Sequence, residues 1–234
     1  MDRLQLVLLP GLLCDETVWQ PQIAGLRDTA ECRVADYGAL DSIRDMAELV
    51  LRDAPERFAL AGHSMGGRVA LEVYRTAPER VSHLALFDTA CTPRVPGEEK
   101  GRYALLEIAR RDGMRAMGMQ WLPPMLQPGR MDDAELVETI LRMFERKSPA
   151  IQEAQITALL NRPDARDVVA GVRCPALLLT GEQDGWSPPA VHRAMSEAIP
   201  GSTLAVIPEC GHMATMERPE AVTAAMRAWL MSKS

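Results

Sequence analysis

The chain predicts an α/β fold: one mainly parallel six-stranded sheet with helices on both faces and an all-helical insertion. Three observations point there. Short apolar runs rich in Leu, Val and Ala alternate with longer amphipathic stretches, the rhythm of strands buried on both faces and crossed by helices. That rhythm stops between about residues 92 and 173, where no strand-like run occurs and helical stretches follow one another. The 234 residues, 47% hydrophobic and 25% charged, suffice for one well-packed soluble domain and are short for two.

Taken in order, the first apolar run spans residues 4–9. It is too short for a signal sequence or a membrane span and reads as a buried strand, which makes the cytoplasm the expected location. Apolar residues at three- and four-residue spacing predict a helix over 18–27, a strand follows at 31–35, and a second helix covers 43–53. A strand at 58–61 runs into a helix at 65–76, and a further strand occupies 83–87. The insertion then carries helical stretches at 98–120, 132–146 and 149–160, with Pro123, Pro124 and Pro128 between the first two. Strands at 176–180 and 203–207 alternate with helices at 189–198 and 219–231, each opened by a proline where the missing N–H costs nothing. The expected division is a core of 1–91 and 174–234 with a helical cap of 92–173.

A net charge of −6 argues against a surface that tracks phosphates, so no nucleic-acid partner is expected. The five cysteines are scattered and form no C-x-x-C pair, which suits reduced thiols. Cys210 and His212 lie two apart but lack the further ligands of a zinc site, and neither metal nor cofactor is expected.

The chemistry concentrates at Gly62-His63-Ser64-Met65-Gly66, where a strand passes through G-x-S-x-G directly into a helix. A turn that tight leaves no room for side chains two residues either side of Ser64, and it lifts the serine hydroxyl above the sheet edge. The helix start adds its positive dipole end and the N–H of Met65, half of an oxyanion hole. A serine hydroxyl is a weak nucleophile near neutrality and needs a base. Of four histidines, His212 alone sits in a loop between the last strand and the terminal helix, at the same edge as Ser64. His63 would point away, His83 starts a strand at the opposite edge, and His192 lies within a helix. The carboxylate that orients His212 should also follow a strand; Asp184 meets this, with Glu182 and Asp88 as competitors.

With Leu9-Pro10-Gly11-Leu12-Leu13 after the first strand, Gly62–Gly66, Gly181–Asp184 and Gly211-His212, the chain resembles the α/β-hydrolase superfamily from end to end, and the order Ser, Asp, His is the order of that fold. The resemblance implies that the loop after the first strand supplies the second oxyanion donor, by position the N–H of Leu12. It departs from the commonest pattern in having Pro10-Gly11 where His-Gly is usual. It also starts at what would be the third strand, so the sheet is expected to be a reduced one.

The expected activity is hydrolysis of a small, partly apolar carboxylic ester through an acyl-enzyme on Ser64. Leu13, Trp121 and Trp186 are candidate substrate contacts among a mainly apolar set of loop and insertion residues, most of which serve packing. Arg68, four residues beyond Ser64, is either a carboxylate-binding group or a solvated helix arginine. The run Ser64-Met-Gly-Gly-Arg68 is similar to the motif of the pyruvate-eliminating lyase of menaquinone synthesis. Lactonases, thioesterases and C–C bond hydrolases also use such a triad. A non-catalytic ligand-binding member of the fold and a plain interaction protein are the alternatives of another class. No membrane span is expected, and the sequence does not determine the oligomeric state.

Overall fold

The computed structural model describes residues 3–232. Its strands are β1 (Leu4–Leu9), β2 (Ala30–Val34), β3 (Phe58–His63), β4 (Val81–Phe87), β5 (Ala176–Gly181) and β6 (Thr203–Ile207). They form one sheet in the order β2-β1-β3-β4-β5-β6, parallel at every pairing. All residues of β3 and β5 are buried, so their sequences carry no apolar–polar alternation, whereas the edge strand β2 alternates. Because the strands are parallel, their C-terminal ends lie along one edge. The pairs Leu9–Gly62, His63–Phe87 and Gly181–Ile207 bring the last residues of β1, β3, β4, β5 and β6 into register there.

The α-helices are α1 (Gln20–Leu26), α2 (Ile43–Asp53), α3 (Met65–Thr76), α4 (Glu98–Asp112), α5 (Met114–Trp121), α6 (Ala134–Glu145), α7 (Pro149–Leu160), α8 (Arg166–Ala170), α9 (Pro189–Ala198), α10 (Ala214–Glu217) and α11 (Pro219–Leu230). Helices cover both sheet faces: α1 packs with α11, α2 with α3, and α9 against β5 and β6. Between β4 and β5 the chain holds α4 to α8 and no strand. Met117, Ile140, Met143 and Phe144 of this segment belong to the same apolar core as the sheet, so burial runs continuously from one to the other.

Several sequence expectations need correction. The single helix over 98–120 is two, because Gly113 adopts φ 92° and ψ 166°, a conformation closed to residues with a Cβ, and α5 starts afresh from it. The helix over 18–27 opens as a 3-10 turn, Glu16–Trp19, capped by the Asp15 carboxylate on Thr17 N–H. Strand β2 runs one residue earlier than expected, and β3 and β4 are two residues longer. The short α8 spans too few residues to show a period. Among the described residues no helix is long and apolar enough to cross a membrane.

Candidate active site

Four non-glycine residues have positive φ among those described: Leu13 (60°), Ser64 (55°), Asp88 (47°) and Glu209 (49°). They lie in the loops that leave β1, β3, β4 and β6. Such conformations cost on the order of 1–3 kcal/mol each and persist only where surrounding structure imposes them. Here they fall at the carboxyl edge of the sheet.

The turn at Ser64 shows what imposes the strain. A Cβ on Gly62 would come within 2.3 Å of Gly66 O, and one on Gly66 within 2.1 Å of Leu9 O, so strand, helix and the β1 loop touch backbone to backbone. Ser64 N–H donates to Phe87 O (2.9 Å), and Ser64 O accepts from the Thr89 hydroxyl (2.7 Å). Held on both sides, the serine turns its side chain toward the loop after β6, where Ser64 Oγ lies 2.9 Å from His212 Nε2. On the far side of the ring, His212 Nδ1 lies 2.8 Å from Asp184 Oδ2. The other Asp184 oxygen accepts the N–H groups of Trp186 (2.8 Å) and Ser187 (3.0 Å). Burial alone would raise the Asp184 carboxyl, but the charge and hydrogen bond of His212 with these two N–H groups outweigh it and hold it at about 2.

The competing carboxylates go elsewhere. Glu182 is exposed. Asp88 accepts the N–H groups of Gly181 (3.0 Å) and Ala214 (3.4 Å) and approaches His63 Nε2 at 3.7 Å. Burial, and then the neighbouring Asp184 charge, push the Asp88 carboxyl well above the usual carboxylate range. His63 donates from Nε2 to the His212 carbonyl oxygen (2.8 Å), which makes it a support for the loop. His192 accepts Thr89 N–H at 3.2 Å, and His83 contacts the Ser232 carbonyl and the Trp229 ring.

The His212 loop is also held by groups that sequence reasoning missed. Glu217 Oε1 accepts the N–H groups of Gly211 (3.0 Å) and Met213 (3.1 Å), one on each side of His212, and its Oε2 accepts Gln127 N–H (2.8 Å). His212 N–H itself donates to Met125 O at 2.6 Å. In the β1 loop, Gln155 of α7 takes Leu13 N–H (2.8 Å) and Gly11 O takes Cys14 N–H (3.1 Å). That leaves the N–H of Leu12 without an acceptor in its own loop. Met65 opens α3, so its N–H has no partner within the helix. Both residues line the cavity over Ser64.

That cavity has a volume of about 620 Å³. Ser64, His212, Leu12, Met65, Trp121, Trp186 and Arg68 are on its wall. Trp186 lies over His212 (4.9 Å between ring centroids), Trp121 stacks on Trp186 (5.8 Å), and Phe144 backs Trp121 (5.3 Å). Leu13, expected among the substrate contacts, is fully buried and is not on the wall: its positive φ turns the side chain into the core. Glu98, Arg102 and Arg162 are on the wall and were not anticipated. Nothing in their sequence context marks them, since arginines and glutamates at helical spacing usually face solvent. Cys14 is fully buried and burial pushes its thiol up to about 12, leaving it unreactive. Among the described residues no group of three or more His, Cys, Asp or Glu is placed to hold a metal ion.

The sequence matches the alpha/beta hydrolase family over residues 6–225. It is similar to the pimeloyl-[acyl-carrier protein] methyl ester esterase of Pectobacterium carotovorum subsp. carotovorum, at 30% identity over 93% of this chain and 91% of that one. It is also similar to the putative 2-succinyl-6-hydroxy-2,4-cyclohexadiene-1-carboxylate synthase of Bacillus subtilis, at 27% identity over 78% of this chain and 69% of that one. Among solved structures, a thermophilic esterase from Thermogutta terrifontis superposes with a TM-score of 0.85 at 30% identity, over 97% of this chain and 89% of that one.

Proposed function

Because the chain belongs to the alpha/beta hydrolase family, we propose that it hydrolyses a small, partly apolar carboxylic ester through an acyl-enzyme formed on Ser64. The observation that carries this reading is the continuous series Asp184–His212–Ser64, joined by contacts of 2.8 and 2.9 Å and opening on the cavity. The two esterases among its relatives support the same reaction class.

In this reading Ser64 Oγ attacks the ester carbonyl carbon while its proton passes to His212 Nε2. Asp184 keeps the other ring proton on Nδ1 and stabilises the imidazolium that forms. The carbonyl oxygen becomes an oxyanion and accepts the N–H groups of Met65 and Leu12, with the positive end of α3 behind them. Collapse expels the alcohol, which takes the proton from His212. A water molecule then repeats the sequence on the acyl-enzyme, with His212 as base, and releases the acid. Trp121 and Trp186 give the entrance its apolar character, and residues 92–173 act as a cap on a core formed by 1–91 and 174–234. The enzyme works in the cytoplasm, where its five unpaired cysteines stay reduced.

One observation, Arg68 on the cavity wall within the run Ser64-Met-Gly-Gly-Arg68, favours a second reading: a pyruvate-eliminating lyase using the same three residues. The test is incubation with a fluorophosphonate probe, followed by intact mass and peptide mapping, beside hydrolysis of short- and long-chain p-nitrophenyl esters. Labelling at Ser64 with turnover, both lost in Ser64→Ala with the fold intact, is the expected result. Labelling without turnover would favour the lyase, and no labelling would replace both readings by ligand binding without catalysis.

A further inference from the structure

Strand β2 ends the sheet, and among the described residues no strand pairs with its outer side. Leu4 N–H donates to Thr29 O (3.2 Å) and Ala35 N–H to Leu8 O (3.0 Å), so positions 29 and 35 turn their backbone groups toward β1. The N–H and C=O of one strand residue point to the same side, and the side alternates along the chain. Glu31 and Arg33 therefore bond β1 as well, and the backbone groups of Ala30, Cys32 and Val34 face outward. No proline or lysine occurs in Ala30-Glu-Cys-Arg-Val34, and its pairing with β1 runs without a bulge, so the devices that commonly protect a sheet edge are missing.

The side chains on that edge select what can lie against it. Glu31 and Arg33 share one face of β2, and each is about half exposed. The Arg33 side chain makes no hydrogen bond among the described residues: its Nη2 lies 3.9 Å from Glu31 Oε1, while Glu31 Oε2 accepts Gln5 Nε2 (3.1 Å). A second β2 laid antiparallel along the edge must set outward residues against outward residues, which permits only registers that differ by a slide of two. Centred on Glu31, the pairing opposes Glu31 to Glu31; centred on Arg33, it opposes Arg33 to Arg33. Centred on Cys32, it opposes Glu31 of each copy to Arg33 of the other, and it closes hydrogen-bonded pairs at Cys32–Cys32 and at both Ala30–Val34 positions. Registers centred further out leave both charges without an opposite.

We infer that two copies of this chain associate through β2 in the register centred on Cys32, joining their six-stranded sheets into one continuous sheet. The contact is self-complementary, as a two-fold dimer requires, because each copy presents the charge and the backbone groups that the other lacks. A groove of about 270 Å³ between β2 and α2 supports it. Val7, Arg33, Leu49 and Val50 line this groove, and Val7 is level with Arg33 in the sheet, so Glu31 of the second copy enters on the same face and meets Arg33. The acids of the groove, Asp36 and Asp53, already pair with Lys147 and Arg52, which leaves Arg33 for the incoming carboxylate. The opposite sheet edge, β6, is TLAVI and has no charge with which to fix a register. Strand direction reverses across the two-fold axis, so the two cavities over Ser64 open at opposite ends of the dimer.

The test is sedimentation equilibrium of the full chain over a concentration series. The wild type should dimerise. Glu31→Arg and Arg33→Glu each set like charges opposite one another at both positions, and each should raise the dimer dissociation constant by on the order of 10-fold or more. Mixing the two variants restores both opposite pairs in a heterodimer, and combining the substitutions in one chain restores them in a homodimer; each should associate about as tightly as the wild type. Recovery on mixing needs both chains folded, so misfolding cannot imitate this pattern. A wild type that stays monomeric throughout the series would overturn the inference. A dimer that survives both single substitutions is held by another face, such as β6, and overturns it too, as does a loss that neither mixing nor the double substitution repairs.

Discussion

Replacing Asp184 by asparagine separates the charge of this residue from its shape, and the surrounding hydrogen bonds dictate how the amide must sit. Oδ1 receives two donors, Trp186 N–H and Ser187 N–H, so the amide oxygen has to remain there. The amide nitrogen then replaces Oδ2, 2.8 Å from His212 Nδ1, and two N–H groups cannot face each other at that distance. His212 responds by moving its proton to Nε2, which turns the 2.9 Å contact with Ser64 Oγ from an acceptor into a donor and removes the base. A wrong tautomer of this kind costs about 10⁴-fold in kcat, or about 5.5 kcal/mol in the barrier. KM should change little, because Asp184 is not on the cavity wall. The variant should also lose stability. The Asp184 carboxyl is held at about 2 against an ordinary 3.8, so its contribution is present above pH 3.8 and is lost as pH falls toward 2. At pH 7 that difference is worth about 2 kcal/mol. The assay is kcat on p-nitrophenyl acetate at pH 7 with urea unfolding of the same samples. A variant retaining activity within tenfold of wild type would refute the tautomer argument, since among the described residues no other carboxylate contacts His212: Asp88 reaches His63 instead.

Three further outcomes follow from the supports of the site. Burial holds both His63 and His192 at about 4, against an ordinary 6.5, so the unfolded chain takes up protons that the native one refuses, and stability falls as pH drops from 6.5 to 4 by roughly 3 kcal/mol per histidine. Asp88 and Glu217, pushed up by burial, act in the opposite sense. The readout is therefore the difference in urea stability between pH 7 and pH 4.5 for wild type and His192→Gln, and an identical difference in both would exclude His192. Glu217→Gln should cost about 1–3 kcal/mol, because its amide group would meet the Gln127 N–H donor, and should lower kcat by loosening the backbone around His212. A melting temperature and kcat equal to wild type would rule out that support. Gly66→Ala forces a Cβ to within 2.1 Å of Leu9 O and 2.7 Å of Pro10 O, so unfolding in urea should show a loss of roughly 1–3 kcal/mol or more, accompanied by loss of activity as the β1 loop is displaced.

What could be read from the sequence follows from where each signal resides. Strands such as β5, ALLLTG, announce themselves because both faces are buried and the whole run is apolar. Ser64, Asp184 and His212 stand out because each sits just beyond a strand, and parallel strands align those ends. The helix break at Gly113 was hidden because apolar spacing continues on either side of it. Leu13 was misjudged because proximity in sequence to Leu12 says nothing about a φ of 60° that sends the two side chains apart. Supports such as Gln155 and Glu98 stayed silent for a different reason. Gln155 reaches Leu13 across 142 residues and Glu98 meets Arg162 across 64, and no local pattern encodes partners so distant.

The strand order has a kinetic consequence. Ser64 and His212 are 148 residues apart along the chain, and they meet only when β3 has paired with β4, β4 with β5 across the helical segment, and β5 with β6. Each pairing is non-local and must close its loop before contacts reward it, which makes such pairings slow. During renaturation from urea, helical circular dichroism should therefore recover first and esterase turnover last. The delay between the two times the closing of the sheet, with the enzyme's own reaction as the clock.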